Sequence, residues 1–180
     1  MRSEQSVNKL HVYTGEGKGK TTAAMGLALR AAGHQKRVLV AQFMKKGNSG
    51  ELIAFGKFEN VCVTAAKPIK GFTSRMNEEE KRQAHAEQTA FALETCEKIR
   101  LWRPEMIVLD ELGIALTTGM AEKDCAEKLI GCALESGETV VTGRTVPDWL
   151  AEKADYLSRI AAEKHPYITE KLPARKGVEW

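Results

Sequence analysis

The stretch Thr14-Gly15-Glu16-Gly17-Lys18-Gly19-Lys20-Thr21-Thr22 decides how the rest of the chain is read. It follows a short apolar run, residues 10–13, and opens into an alanine- and leucine-rich segment, residues 22–32. Glycines at alternate positions let successive backbone N–H groups turn towards bound oxygens without Cβ clashes, and the helix that starts behind them adds a positive end. Lys20 supplies a full cation, and the Thr21 hydroxyl stands where a magnesium ion riding on phosphates is ligated. The spacing departs from the standard phosphate loop: Thr14 stands where the first glycine belongs, and Gly15 comes one step late. The loop is therefore one residue tighter than standard. A glycine-rich turn before an ordinary helix is the other reading, and Gly-Lys-Thr-Thr between a strand and a helix weighs against it.

Outward from the loop, Met25, Leu29 and Ala32 recur at helical spacing and Gly33 stands in a C-cap position. Residues 37–43 then form a continuous run of the kind parallel sheets bury on both faces, which completes a strand, loop, helix, strand unit. A short helix over 51–58 and a strand over 61–65 lead to a linker, residues 66–76, that carries Pro68, Gly71 and Phe72. Asn77 is an N-cap with Glu80 as its capping-box partner, for a helix running to about residue 101 with Ala84, Phe91, Cys96 and Ile99 among its core positions. Pro104 ends that helix, and residues 106–109 form a strand that delivers Asp110-Glu111. A helix over 121–134, with Leu129, Cys132 and Ala133 inward and Gly137 closing it, precedes a strand over 139–142 that leads into Gly143-Arg144. Pro147 fits the first turn of a helix reaching 154, residues 156–160 read as a sixth strand, and the tail from Lys164 reads as irregular.

This alternation predicts an α/β fold: a mostly parallel sheet with helices on both faces, P-loop NTPase-like and RecA-like. One domain over residues 1–180 accommodates it, with residues 1–8 expected to be frayed. In such sheets ligands bind outside the carboxyl ends of the strands. The phosphate loop, residues 42–46, Asp110-Glu111 and Gly143-Arg144 follow those ends and are expected to converge.

Composition bounds the partners. A formal charge of +3 on 180 residues, with Lys and Arg interspersed among Asp and Glu, points to a local anionic ligand and away from nucleic acid. Cys62, Cys96, Cys125 and Cys132 show no C-x-x-C spacing and His11, His34, His85 and His165 are scattered, so no zinc site is legible and core thiols in a reducing compartment are expected. No signal-peptide apolar region is present, and the longest apolar run, residues 38–44, is too short to span a bilayer, so a cytoplasmic protein without a membrane partner is expected.

An apolar strand delivering two carboxylates is the usual partner of a phosphate loop: one can hold magnesium directly or through water, and the other can orient water or the loop. Taken alone, Asp110-Glu111 reads equally well as a solvated acidic turn; beside Lys20 and Thr21 the metal reading leads. Arg144 can fork onto phosphate oxygens or be a solvated surface arginine, and Lys18 carries the same two readings. Phe72 is either a core plug or the aromatic lining of a substrate pocket.

A resemblance carries the reading further. Residues 15–24 (Gly-Glu-Gly-Lys-Gly-Lys-Thr-Thr-Ala-Ala), Gln42-Phe43-Met44-Lys45, Gly71-Phe72-Thr73, Val108-Leu109-Asp110-Glu111-Leu112, Thr142-Gly143-Arg144 and Gly177-Val178-Glu179-Trp180 resemble, in order along nearly the whole chain after Lys9, the ATP:corrinoid adenosyltransferases of the phosphate-loop type. The shortened loop is typical of that family. The resemblance implies transfer of the 5′-deoxyadenosyl group of ATP to Co(I) of a corrinoid, with triphosphate released and ATP lying reversed in its loop. It implies ATP as co-substrate, Mg2+ or Mn2+, an electron-donor protein that reduces cobalt, and a homodimer. By position it assigns ATP binding to Gly15, Glu16, Gly17, Lys18, Gly19, Lys20, Thr21, Thr22 and Arg144, and metal to Thr21, Asp110 and Glu111, with Glu111 the nearer ligand. Lys20, Glu111 and Arg144 become the catalytic set, and Phe72, Gln42 and Met44 the corrinoid side. Members of the family carry tryptophan two residues after the phenylalanine, where this chain has Ser74, and the segment before the loop is short. Two other classes stay open: an ordinary phosphate-loop kinase or ATPase, and a non-catalytic ATP and corrinoid binder that delivers cofactor.

Overall fold

A computed structural model describes residues 8–45, 47–69 and 73–179. Six strands, β1 (Leu10–Thr14), β2 (Val38–Gln42), β3 (Val61–Ala65), β4 (Met106–Asp110), β5 (Glu138–Gly143) and β6 (Tyr156–Arg159), form one sheet in the order β3-β2-β4-β5-β1-β6. Every neighbouring pair is parallel. Helices α1 (Lys20–Gly33) and α2 (Gly50–Phe55) cover one face. The long α3 (Glu78–Trp102), α4 (Leu112–Thr117), α5 (Lys123–Ser136) and α6 (Asp148–Lys153) cover the other, and α7 (Pro166–Glu170) lies in the tail.

The two-residue period of the strands sorts the core. Val38 and Val40, Met106 and Val108, and Val140 pack with α1 and α2, whereas Leu39, Ala41, Ile107, Leu109 and Val141 pack with α3 and α5. All five residues of β2 and of β4 are buried, as parallel strands covered on both faces require.

Several local expectations are met in atomic detail. Asn77 Oδ1 accepts the Glu80 N–H and Glu80 Oε2 accepts the Asn77 N–H, both at 2.9 Å, so the capping box starts α3. Ala84, Phe91, Cys96 and Ile99 are buried, as are Leu129, Cys132 and Ala133 on α5. The four cysteines are free thiols, and burial pushes the Cys132 thiol up to about 12.

Other expectations change. Leu29 is exposed: the buried stripe of α1 is Ala24, Met25, Ala28, Ala31 and Ala32, so the apolar face is centred on the alanines and Leu29 sits beyond its edge. Gly33 is the last helical residue, with His34 as the cap, and Pro147 caps α6 from outside its first turn. Two short helices were not foreseen: α4, which turns immediately after Glu111 in a stretch that carried no assignment, and α7, in the tail expected to be irregular, whose start has His165 Nδ1 accepting the Tyr167 N–H. Both are shorter than the window in which periodicity is readable. Of the residues expected to be frayed, Asn8 is tied down, its side-chain amide donating to Leu134 O at 2.7 Å.

Candidate active site

The register of the sheet builds the polar centre of the site. Gln42 and Asp110 are direct partners across β2 and β4, and Thr142 is the penultimate residue of β5 on the other flank of β4. Each follows a valine two residues earlier that packs against α1: Val40, Val108 and Val140. All three polar side chains therefore face α1 where its first turn leaves the phosphate loop. The same alternation that makes the core places a row of polar groups at its carboxyl edge.

Asp110 is fully buried and fully engaged. Its Oδ1 accepts Thr142 Oγ1 at 2.7 Å and Thr21 Oγ1 at 2.9 Å; its Oδ2 accepts Gln42 Nε2 at 2.9 Å and Lys45 Nζ at 3.0 Å. Burial alone would push the Asp110 carboxyl up, but the Lys45 ammonium and the donated hydrogen bonds outweigh it and hold the group ionised, below its ordinary value. Glu111 follows in the left-handed region at φ 62° and caps α4. Its N–H donates to Thr142 Oγ1 at 2.9 Å, so one hydroxyl fixes both acidic residues.

The phosphate loop is pinned by strand ends. Thr14, at the position where a standard loop has its first glycine, is the last residue of β1, and its Oγ1 donates to Arg144 O at 3.1 Å. The loop proper begins at Gly15, whose N–H donates to Arg144 O at 3.0 Å, and Gly17 N–H donates to Ile160 O at 2.8 Å. A Cβ on Gly15 would meet Ile160 O at 2.5 Å and one on Gly17 would meet Ala161 O at 2.3 Å. Gly17 serves the close approach of the chain leaving β6, Gly15, at φ 110°, serves both that approach and backbone conformation, and Gly19, at φ 120° with nothing near it, serves backbone conformation. Helix α1 has no side-chain cap and no acidic residue in its first turn, so its leading N–H groups are left for an anion.

Lys20 Nζ donates to Gly17 O at 2.7 Å, and burial lowers its pKa from the ordinary value, with Glu111 acting the other way. Arg144 is mostly exposed and pairs with Glu16 at 3.3 Å. Lys18 pairs with Glu179 of the tail at 3.0 Å. Glu179 is held at about 2 by the Arg175 guanidinium and backbone and by Lys18.

These elements enclose a cavity of about 480 Å³ lined by residues 18–22, Gln42, Met44, Lys45, Glu111 and the tail residues Val178 and Glu179. A neighbouring cavity of about 330 Å³ shares Lys18 and Glu179 and adds Arg144, His165 and Tyr167. Another cavity, about 590 Å³, lies between α3 and α5 and touches none of the residues read from the sequence as site residues. The expected convergence of strand-end motifs is thus found for the loop, Gln42, Met44 and Glu111, with Asp110 directly beneath and Arg144 at the rim.

Of the residues expected on the corrinoid side, Met44 lines the loop cavity, Gln42 is buried with its Nε2 donating to Asp110, and Phe72 lies outside the described residues. Sequence reasoning named no role for Thr142 or Lys45, although both stood in quoted motifs, and none for Gln88, whose Oε1 accepts Met44 N–H at 3.1 Å. A polar residue in phase with a buried valine row was the available signal for Thr142; nothing local predicts the reach of Lys45 or of Gln88.

By donor type, Thr21 Oγ1, Asp110 Oδ2 and Glu111 Oε1 suit a magnesium ion, which takes one or two carboxylates and completes its shell with phosphate oxygens and water. Their arrangement already gathers positive charge: Lys45 Nζ lies 3.3, 3.0 and 3.3 Å from these three oxygens. Among the described residues there is no cluster of three or more His, Cys, Asp or Glu that would cage a metal without a ligand's help.

The chain matches the family model described as ATP:corrinoid adenosyltransferase BtuR/CobO/CobP over residues 7–180. The chain belongs to the corrinoid adenosyltransferase family. A corrinoid adenosyltransferase of Pseudomonas aeruginosa is 34% identical over 99% of this chain and 86% of its own length. One of Escherichia coli is 32% identical, and corrinoid adenosyltransferase CobA of Salmonella typhimurium is 31% identical, each over 94% of this chain and 84% of its own. Domain III of the replication initiation protein DnaA from Thermotoga maritima aligns over 86% of this chain and 55% of its own, with a TM-score of 0.41 and 12% identity. ATP and a corrinoid as substrates follow from family membership. Among the described residues no helix is long and apolar enough to cross a membrane.

Proposed function

We propose that this chain transfers the 5′-deoxyadenosyl group of ATP to the Co(I) centre of a corrinoid and releases triphosphate. The electron pair on cobalt forms the Co–C5′ bond while the C5′–O bond breaks and its electrons leave on triphosphate. Cobalt passes from Co(I) to Co(III), and no proton need be moved. The carrying observation is the coupling of the tight phosphate loop to the acidic strand end, Thr21 Oγ1 to Asp110 Oδ1 at 2.9 Å, within a family named for this transfer.

In this reading the free N–H groups of the loop and α1, with Lys20, receive the triphosphate and stabilise the charge it gains as the bond breaks. Gly15, Glu16, Gly17, Lys18, Gly19 and Thr22 complete the cradle, and Arg144 reaches the nucleotide from the rim. Lys20 sits over the Gly17 carbonyl and transfers its hydrogen bonds to phosphate when ATP arrives. Thr21 and Glu111 hold magnesium and Asp110 supports them, since the four hydrogen bonds on Asp110 leave Glu111 the freer carboxylate. Bound magnesium supplies charge neutralisation at the triphosphate. Met44 and Phe72 are assigned to the corrinoid, and Gln42 acts on that side through Asp110 and the strand end. A protein electron donor, a homodimer and a cytoplasmic location belong to the same reading.

Incubation with ATP, magnesium and chemically reduced cobalamin tests it. The expected outcome is a photolabile alkyl-cobalt absorbance with triphosphate as co-product in equal amount. ADP or orthophosphate would assign a kinase or ATPase, and binding of both substrates without a cobalt–carbon chromophore would assign a delivery protein.

A further inference from the structure

Lys45 is placed by unusual backbone geometry. Met44 adopts φ 62° without being glycine, and Lys45 N–H donates to Phe43 O at 2.7 Å, closing a three-residue turn straight after β2. Gln88 Oε1 holds this turn by accepting the Met44 N–H at 3.1 Å, and Gln88 itself is fully buried. A left-handed, β-unbranched residue costs some free energy, and such geometry persists where surrounding structure determines it, typically at functional positions. The turn folds the Lys45 side chain back onto the strand end, where Nζ meets Asp110 Oδ2 at 3.0 Å, Glu111 Oε1 at 3.3 Å and Thr21 Oγ1 at 3.3 Å. These are the three oxygens that by donor type suit magnesium.

We propose that Lys45 is a tethered cation that occupies the metal position until triphosphate arrives, so that metal loads together with nucleotide and not ahead of it. This rests on the metal reading of Thr21, Asp110 and Glu111. An ammonium and a hydrated divalent ion cannot share the same three oxygens, so metal entry requires Lys45 to leave. Triphosphate provides the reason: it brings several anionic oxygens to a cavity that Lys45 lines beside Lys20 and Thr21. The ammonium then trades two carboxylates for phosphate oxygens, and the displaced position receives a cation of higher charge. The Asp110 and Glu111 carboxylates, at 3.0 and 3.3 Å from Nζ, are the counter-charges of this ammonium. Lys45 is thereby a positioning residue for the metal, which ties metal occupancy to the substrate that needs it.

The test measures Mn2+ alone, by the loss of its free-ion electron paramagnetic signal on titration into nucleotide-free protein. A site blocked about nine-tenths of the time binds about tenfold more weakly than the open site, so Lys45→Met is expected to bind Mn2+ at least about tenfold more tightly than wild type. Lys45→Arg retains a cation on the tether and is expected to stay weak. Lys45→Met leaves Asp110 and Glu111 without their counter-charge, so its melting temperature is expected to fall and to recover as Mn2+ is added. Lys45→Gln provides the same comparison should the methionine variant not fold. Unchanged Mn2+ affinity in a folded Lys45→Met or Lys45→Gln overturns the proposal. A parallel titration with a non-reacting ATP analogue separates the two levels. If wild type binds protein-held Mn2+ with the analogue and Glu111→Ala does not, the metal reading stands whatever the lysine variants do. If neither does, the metal reading falls and this proposal with it.

Discussion

Thr142→Val is the sharpest probe of the polar row, because it removes one oxygen atom and almost no volume. In the folded protein the Thr142 hydroxyl donates to Asp110 Oδ1 at 2.7 Å and accepts the Glu111 N–H at 2.9 Å, at a position with no solvent exposure. Losing a hydrogen bond to a buried carboxylate costs about 1.5–3 kcal/mol. The Glu111 amide loses its acceptor for about 1 kcal/mol more, the low end of the range for a partly shielded group. The added methyl carbon returns about 0.8 kcal/mol of apolar burial. The net expectation is a loss of about 2–3 kcal/mol, which at a urea dependence of about 2 kcal/mol/M moves the midpoint down by about 1–1.5 M. Thr139→Val is the control on the same strand: Thr139 is equally buried, but its hydroxyl donates only to Gly137 O, at 3.1 Å, a neutral bond worth about 1 kcal/mol. Equilibrium urea unfolding of both variants decides the matter. A midpoint shift in Thr142→Val no larger than that in Thr139→Val would refute the bridging role of the hydroxyl.

Three further outcomes are expected. Gly17→Ala forces a Cβ to within 2.3 Å of Ala161 O, a backbone atom that cannot swing away, so a loss of about 1–3 kcal/mol and weakened ATP binding should appear together in thermal melts and in calorimetric titration. Glu111→Ala should raise the magnesium concentration needed for half-maximal turnover, while a dependence identical to wild type would move the direct metal contact to Asp110. Glu179 has an ordinary value of 4.5 and is held at about 2 in the folded tail, so the stabilisation it gives the tail is complete above 4.5 and is lost as pH falls towards 2. Amide chemical shifts of residues 175–179 followed from pH 6 to about pH 2 should show this transition, and Glu179→Gln should abolish it.

Much of this architecture is written in short-range pattern. The apolar runs that become β2 and β4, the capping box at Asn77 and Glu80, and the glycines between β1 and α1 are each decided by a few neighbouring residues. Local periodicity and cap chemistry read them directly. The buried face of α1 was harder to read because its stripe is mostly alanine, less apolar than the exposed Leu29 beside it. Helices α4 and α7 span too few turns to leave a periodic trace.

By itself, then, the sequence determined a parallel α/β sheet with a phosphate loop after its first strand and carboxylates at the end of another, because burial on both faces of a parallel strand imposes a continuous apolar run that neighbouring residues alone display. Tertiary structure alone decided what those groups touch. Glu179 meets Lys18 across 161 residues of chain, Ile160 and Ala161 turn out to be what Gly15 and Gly17 must make room for, and a left-handed Met44 brings Lys45 onto Asp110 and Glu111. Such contacts depend on where loops close in space and on single backbone torsions. Neither leaves a periodic signal in the order of the residues.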